Sequence, residues 1–209
     1  MARKRSKGKA PKRDPAAENF DRAVHGLREH PLFSPLIDAA SVSRQPGTCP
    51  QDAHAILTSS GYIYANAERL EDPPVWMWIL AHHLLHLGFG HVVERAHHDV
   101  WNFACDAVVN RFLADLKLGR PPSGTFVPET LPKPRENELY DFFVDHGVPP
   151  RYRWGGTAGP RCDLIMEPVL DYRRAGFTDR MQETFTLGLR SAVHSAVELA
   201  GGAAPGAAV

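Results

Sequence analysis

Two histidines four residues apart, His82 and His86, lie in the stretch Val75–Leu87, which is otherwise among the most apolar in the chain. On an α-helix that spacing puts both imidazoles on one face, a turn apart. Two imidazoles so placed can bind a single zinc ion. A bare His-x-x-x-His pair is weak evidence, because core packing or surface placement explains most of them. The surroundings add weight. Burying two imidazoles among Trp76, Ile79, Leu80, Leu84 and Leu85 costs free energy unless each finds a partner. One metal ion would satisfy both.

A second segment, Trp101–Asn110, carries Asp106 among Phe103, Ala104, Ala107 and Val108, with Asn110 one turn further on the same face. Buried acids are rarely unpaired, so Asp106 reads as a third metal ligand. Asn110 then reads as an outer partner that orients His82 or His86. The plainer alternative pairs Asp106 with Arg111 or a helix end. His91, just past Gly88-Phe89-Gly90, competes for the third position if the chain turns back there; otherwise it is a partly exposed histidine facing the helix dipole. His97 and His98 read as surface residues of a polar turn.

These side chains need elements to hold them. A helix from Ala16 to about His30 is stopped by Pro31. Residues 41–53 read as a Pro/Gly/Ser-rich loop, and 55–58 and 62–65 as two short strands of a hairpin around Ser-Ser-Gly. Asp72-Pro73-Pro74 introduces the histidine helix, and Gly88 and Gly90 end it. A further helix runs from Asp99, its N-cap, to Leu118. A short amphipathic helix covers Glu136–Asp145, a Gly/Pro-rich surface loop 147–163, and a last helix about Thr178–Leu199. The domain spans 16–200, between a basic, disordered tail (1–15) and a flexible Gly/Ala tail (201–209). The fold class is α+β, mainly helical, with a small hairpin or sheet.

Bulk properties narrow the function. With 24 basic and 24 acidic residues the formal charge of the 209-residue chain is zero, which argues against nucleic-acid binding beyond weak contact by the basic tail. Three well-separated cysteines offer no disulfide framework and no Cys-x-x-Cys knuckle. No run approaches a membrane span and no signal peptide is recognisable, so the expectation is a cytoplasmic protein.

Taken in order, Gly61-Tyr62-Ile63-Tyr64-Ala65-Asn66, then Ala81-His82-His83-Leu84-Leu85-His86 with His91, then Trp101-Asn102 with Asp106 and Asn110, then Glu138 and Tyr140, resemble a bacterial family of metallopeptidase-like proteins. In that family an N-terminal domain is usually followed by a von Willebrand factor A-like domain. The resemblance implies a zincin-like fold, a small sheet beside an active-site helix, and one zinc ion per chain. The expected partner is a peptide or protein: either a separate von Willebrand factor A-like protein stands in for that second domain, or the protein acts alone.

The chain departs from the family pattern H-E-x-x-H at its second position, which is His83. The missing glutamate would take a proton from the zinc-bound water and hand it to the leaving group, help worth about 10²–10⁴-fold. His83 has three conceivable fates: a substitute base, a further ligand that closes the open coordination position, or plain packing. The expectation is a metal-binding pseudo-peptidase that binds a peptide or partner without cutting it. The alternatives are an active zinc hydrolase with a substitute base and a metal-free helical scaffold.

Overall fold

The computed structural model describes residues 14–166. The basic tail up to residue 13, the helix expected near 178–199 and the Gly/Ala tail lie outside the described residues.

Helix α1, Pro15–Glu29, starts on a proline whose missing N–H needs no partner there. The Asp14 carboxylate accepts from the Ala16 N–H at 3.1 Å. A short helix α2, Ser34–Ala39, follows directly, where the sequence reading had found only the stop at Pro31. Strand β1, Ser41–Ser43, lies inside the segment read as a loop. It pairs parallel with β3 (Tyr62–Ala65), which pairs antiparallel with β2 (Ala55–Thr58). A two-residue strand β4, Leu164–Ile165, adds itself parallel to the free edge of β2, giving the order β1-β3-β2-β4. The fold is thus α+β and mainly helical, with a small mixed sheet.

Helix α3, Pro73–Phe89, is buried on almost every side from Val75 to Gly88. It packs against α1, where the Phe20 ring meets Trp76 edge-on at 5.3 Å between centroids. Gly90, in the left-handed conformation at φ 74°, ends it. Helix α4 runs from His98 to Leu116, so Asp99 sits in its first turn and not at the N-cap. Lys117 at φ 54° and Gly119 at φ 63° then turn the chain back.

Both ends of α4 meet the opposite ends of α3. The Arg120 N–H donates to Pro74 O at 3.0 Å, and the Trp101 indole N–H donates to His91 O at 2.9 Å. The two helices are therefore antiparallel, which sets the His82–His86 turn facing the Asp106–Asn110 turn. Helix α5, Glu136–His146, and a 3₁₀ turn, Pro150–Trp154, close a second apolar cluster on the other side of α4 through Leu139, Phe143 and Tyr152. Among the described residues, no helix is long and apolar enough to cross a membrane.

Candidate metal centre

His82, His86, Asp106 and Asp163 converge in the interior, each with no solvent exposure. One nitrogen or oxygen from each lies within 4.8 Å of the others. The two Nε2 atoms are 3.0 Å apart. Asp106 Oδ1 stands 3.3 Å from His82 Nε2 and 3.2 Å from His86 Nε2, and Asp163 Oδ2 is 3.4 Å from His82 Nε2. Ligand atoms at 2.0–2.1 Å around a tetrahedral ion are spaced about 3.3–3.4 Å apart. Four of the six spacings in the cluster, 3.0–3.4 Å, are close to that value, and all six lie within 4.8 Å.

Hydrogen bonds outside the cluster aim the ligand atoms inward. Asn110 donates through Nδ2 to Phe126 O at 3.0 Å and Gly155 O at 2.7 Å, which leaves its Oδ1 to accept from His82 Nδ1 at 3.0 Å. The proton is thereby fixed on Nδ1, and Nε2 presents its lone pair to the cluster. Asn102 donates to Asp106 Oδ2 at 2.7 Å, so Oδ1 is the oxygen turned to the histidines. That Oδ1, and Asp163 Oδ1, are buried with no hydrogen-bond donor. Asp106 Oδ1, orphaned beside two imidazole nitrogens, suits a cation, while the Asp163 oxygen nearest His82, Oδ2, already accepts from Thr157. Two carboxylates and two neutral imidazoles would make a divalent ion's surroundings electrically neutral.

Without a metal the cluster must retain protons. Burial alone would lower His82, but Asp106 and Asp163 outweigh it and raise it to about 10. Burial, reinforced by the charge of Asp163, raises Asp106 to about 7. Burial opposes ionisation of Asp163 too, yet the hydrogen bond and charge of His82 hold it below the ordinary carboxylate range. His86 is lowered to about 3, by burial first and by the His82 charge second. A divalent ion would take the place of the His82 proton.

The other histidines fall elsewhere. Left-handed Gly90 brings the His91 N–H onto His86 O at 2.9 Å, and the His91 ring onto the far side of His86, Nδ1 to Nδ1 at 3.0 Å. It stands behind His86 and outside the group of four, because the helix cap turns it to the nitrogen that the cluster leaves free. His83 is fully buried but points to Thr157, its Nε2 2.9 Å from Thr157 Oγ1. Burial lowers it to about 3, so it is neutral. His97 is exposed, whereas His98 is half-buried and donates to Leu164 O at 2.8 Å.

Asp163 is the residue that sequence reasoning missed. The Gly/Pro-rich segment read as a surface loop crosses the cluster, with Tyr152, Thr157, Ala158, Asp163 and Leu164 buried. Its glycines allow this close passage. A Cβ on Gly156 would lie 3.0 Å from both Asp106 Oδ2 and Asp163 Oδ2, and one on Gly155 3.0 Å from Asp106 Cβ. Gly156→Ala should therefore weaken metal binding by about 10–100-fold, the usual effect of disturbing the groups around the ligands. Competition with a chromophoric chelator measures it, and unchanged affinity would mean that the segment yields freely.

The profile of a family described as "Putative metallopeptidase domain" matches residues 27–146, which include His82, His86, Asp106 and Asn110 and stop short of Thr157 and Asp163. Neither the curated proteins nor the solved structures give a significant match. With more than half its length matched, the chain belongs to that metallopeptidase domain family.

Proposed function

We propose that this domain holds one zinc ion at His82, His86, Asp106 and Asp163 in a zincin-like fold, and that it acts as a binding domain without cleaving peptides. The observation that carries the metal is the fully buried set of two carboxylates and two imidazoles, spaced as ligands of one ion. Zinc suits this small, mixed nitrogen and oxygen set. A catalytic zinc keeps one position open for water, whereas a structural zinc takes four protein ligands. Four candidate ligands with no solvent exposure support the structural role.

The chemistry at position 83 supports the same conclusion. A base must reach the proton that it removes. His83 Nε2 is engaged by Thr157, and its Nδ1 is buried without a partner. An active hydrolase using His83 as base is the weaker reading for that reason. A metal-free scaffold is weaker because it leaves buried carboxylate oxygens unpaired. In this reading the zinc stiffens a cytoplasmic module, and a partner such as a von Willebrand factor A-like protein docks on its surface.

Elemental analysis of protein purified without an affinity tag or chelator tests the reading. One zinc per chain is expected, falling towards zero in His86→Ala and Asp106→Ala, with no hydrolysis of unstructured peptides. Protein that stays metal-free when zinc is supplied would sink it.

A further inference from the structure

Residues 157–165 cross the metal cluster and lie along the outer edge of β2. Three main-chain amides on that edge donate to them: His54 to Thr157 O at 2.9 Å, Leu57 to Asp163 O at 2.7 Å and Ser59 to Ile165 O at 2.9 Å. From the helical side, the Leu164 N–H donates to Asn102 Oδ1 at 2.9 Å and Leu164 O accepts from His98. Arg161 pairs with Asp52 at the rim. The last two residues of the segment, strand β4, add to the sheet edge as captured peptides commonly do; here the occupant is the chain itself, and the bends before β4 bring Asp163, the proposed fourth ligand, with it.

His83 grips this segment from below. The Thr157 hydroxyl has one proton and two acceptors to give it to, Ala55 O at 2.8 Å and Asp163 Oδ2 at 3.1 Å. When the proton goes to either of these oxygens, Thr157 Oγ1 is left to accept from His83 Nε2–H. Thr157 in turn holds Asp163, its N–H donating to Oδ2 at 2.7 Å. A hydrogen-bonded path thus leads from position 83 to the carboxylate at the metal.

We infer that residues 157–165 form an internal latch that seals the metal site with Asp163, and that His83 is the positioning residue that fastens this latch through Thr157. The inference rests on the metal reading above. A glutamate at 83 works against the closed latch. A carboxylate there offers no proton to Thr157 Oγ1, and it adds a third negative charge beside Asp106 and Asp163. The loss of the glutamate and the sealing of the ion are then two sides of one arrangement. Opening the latch frees both a coordination position and the β2 edge for another extended peptide.

Cobalt(II) loaded into the full chain gives a spectroscopic readout, with azide as the probe of an open position. The visible bands of the wild type are expected to ignore azide, and those of Asp163→Ala and His83→Glu to shift with it. His83→Gln, which keeps a neutral donor, should stay closed. A cobalt-loaded wild type that responds to azide, or an Asp163→Ala that does not, overturns the latch while leaving the metal reading intact. Equal behaviour of His83→Gln and His83→Glu removes the role given to His83. A wild type that takes up no metal overturns both readings together.

The wild type alone supplies a second test that needs no variant to fold. The Leu57 and Ser59 amides should exchange with solvent about 100-fold more slowly when zinc is present at about 100 times its dissociation constant. Equal rates with and without zinc overturn the latch.

Discussion

If the cluster holds zinc as proposed, chelator-treated protein should melt about 10 °C below protein loaded with zinc. Zinc at about 1,000 times its dissociation constant stabilises the folded state by about 4 kcal/mol. In a domain of this size each kcal/mol moves the midpoint by about 2–4 °C. The physical origin is local. Removing the ion leaves Asp106 and Asp163 buried near each other, each with an oxygen that no donor reaches, and only the charged His82 lies between them. Breaking up a buried charge set by taking one member away is costly. Thermal melts with and without chelator, repeated in Asp106→Ala, provide the check. The variant should show no chelator effect, and an unchanged wild-type midpoint would leave the histidines as ordinary core residues.

Acid should unfold the loaded protein more steeply than the metal-free one. In the metal-free protein, His83, His86 and His91 are held neutral by burial. Their folded pKa values lie below the unfolded value of about 6.5. Their contribution is fully present above that pH and is lost as pH falls, because the unfolded chain takes up three protons that the folded one refuses. Asp106 works in the opposite sense. With its pKa raised to about 7, it keeps a proton in the folded state that the unfolded chain gives up above about pH 4. Its contribution is present at low pH and fades as pH rises through 7. His82, raised to about 10, contributes nothing in this window, since both states are protonated below about pH 6.5.

The metal-free chain therefore loses stability with a net uptake of about two protons, near 3 kcal/mol per pH unit once the imidazoles of the unfolded chain are charged. With zinc bound, Asp106 is ionised and His82 has given up its second proton. The unfolded state then gains four protons on His82, His83, His86 and His91, a slope of about 5 kcal/mol per pH unit. Urea unfolding between about pH 4.5 and 5.5, where the unfolded imidazoles are charged and the unfolded Asp106 is not protonated, measures both slopes with and without zinc. Equal slopes would mean that the ion does not displace the His82 proton.

Much of this site could be read from the sequence because its parts are local. His82 and His86 share a face by helical periodicity alone, as do Asp106 and Asn110, and an acid in an apolar helix calls for a partner. The hairpin of β2 and β3 announced itself by two β-rich runs around Ser-Ser-Gly. What escaped was set at long range. Asp163 lies 57 residues from Asp106, in a segment whose glycines and prolines carry no periodicity and whose burial depends on where the chain crosses. The same holds for β1, three residues long, whose partner β3 lies some twenty residues on. His91 was ambiguous for a smaller reason. Only the left-handed turn at Gly90 decides which nitrogen of His86 it meets.

On the metal reading, the sequence positions of the four candidate ligands would also impose an order of assembly. His82, His86 and Asp106 emerge from synthesis on two consecutive helices, while β4 must find β2 across a gap of more than a hundred residues. Such distant, parallel pairings are slow to form. Any growing chain that ends before Thr157 holds three of the candidate ligands and lacks Asp163. The ion would therefore meet an accessible three-ligand cup first, and the chain would shut it in afterwards. On that reading the route of metal entry would lie in the history of the polypeptide, before the finished fold has closed over the site.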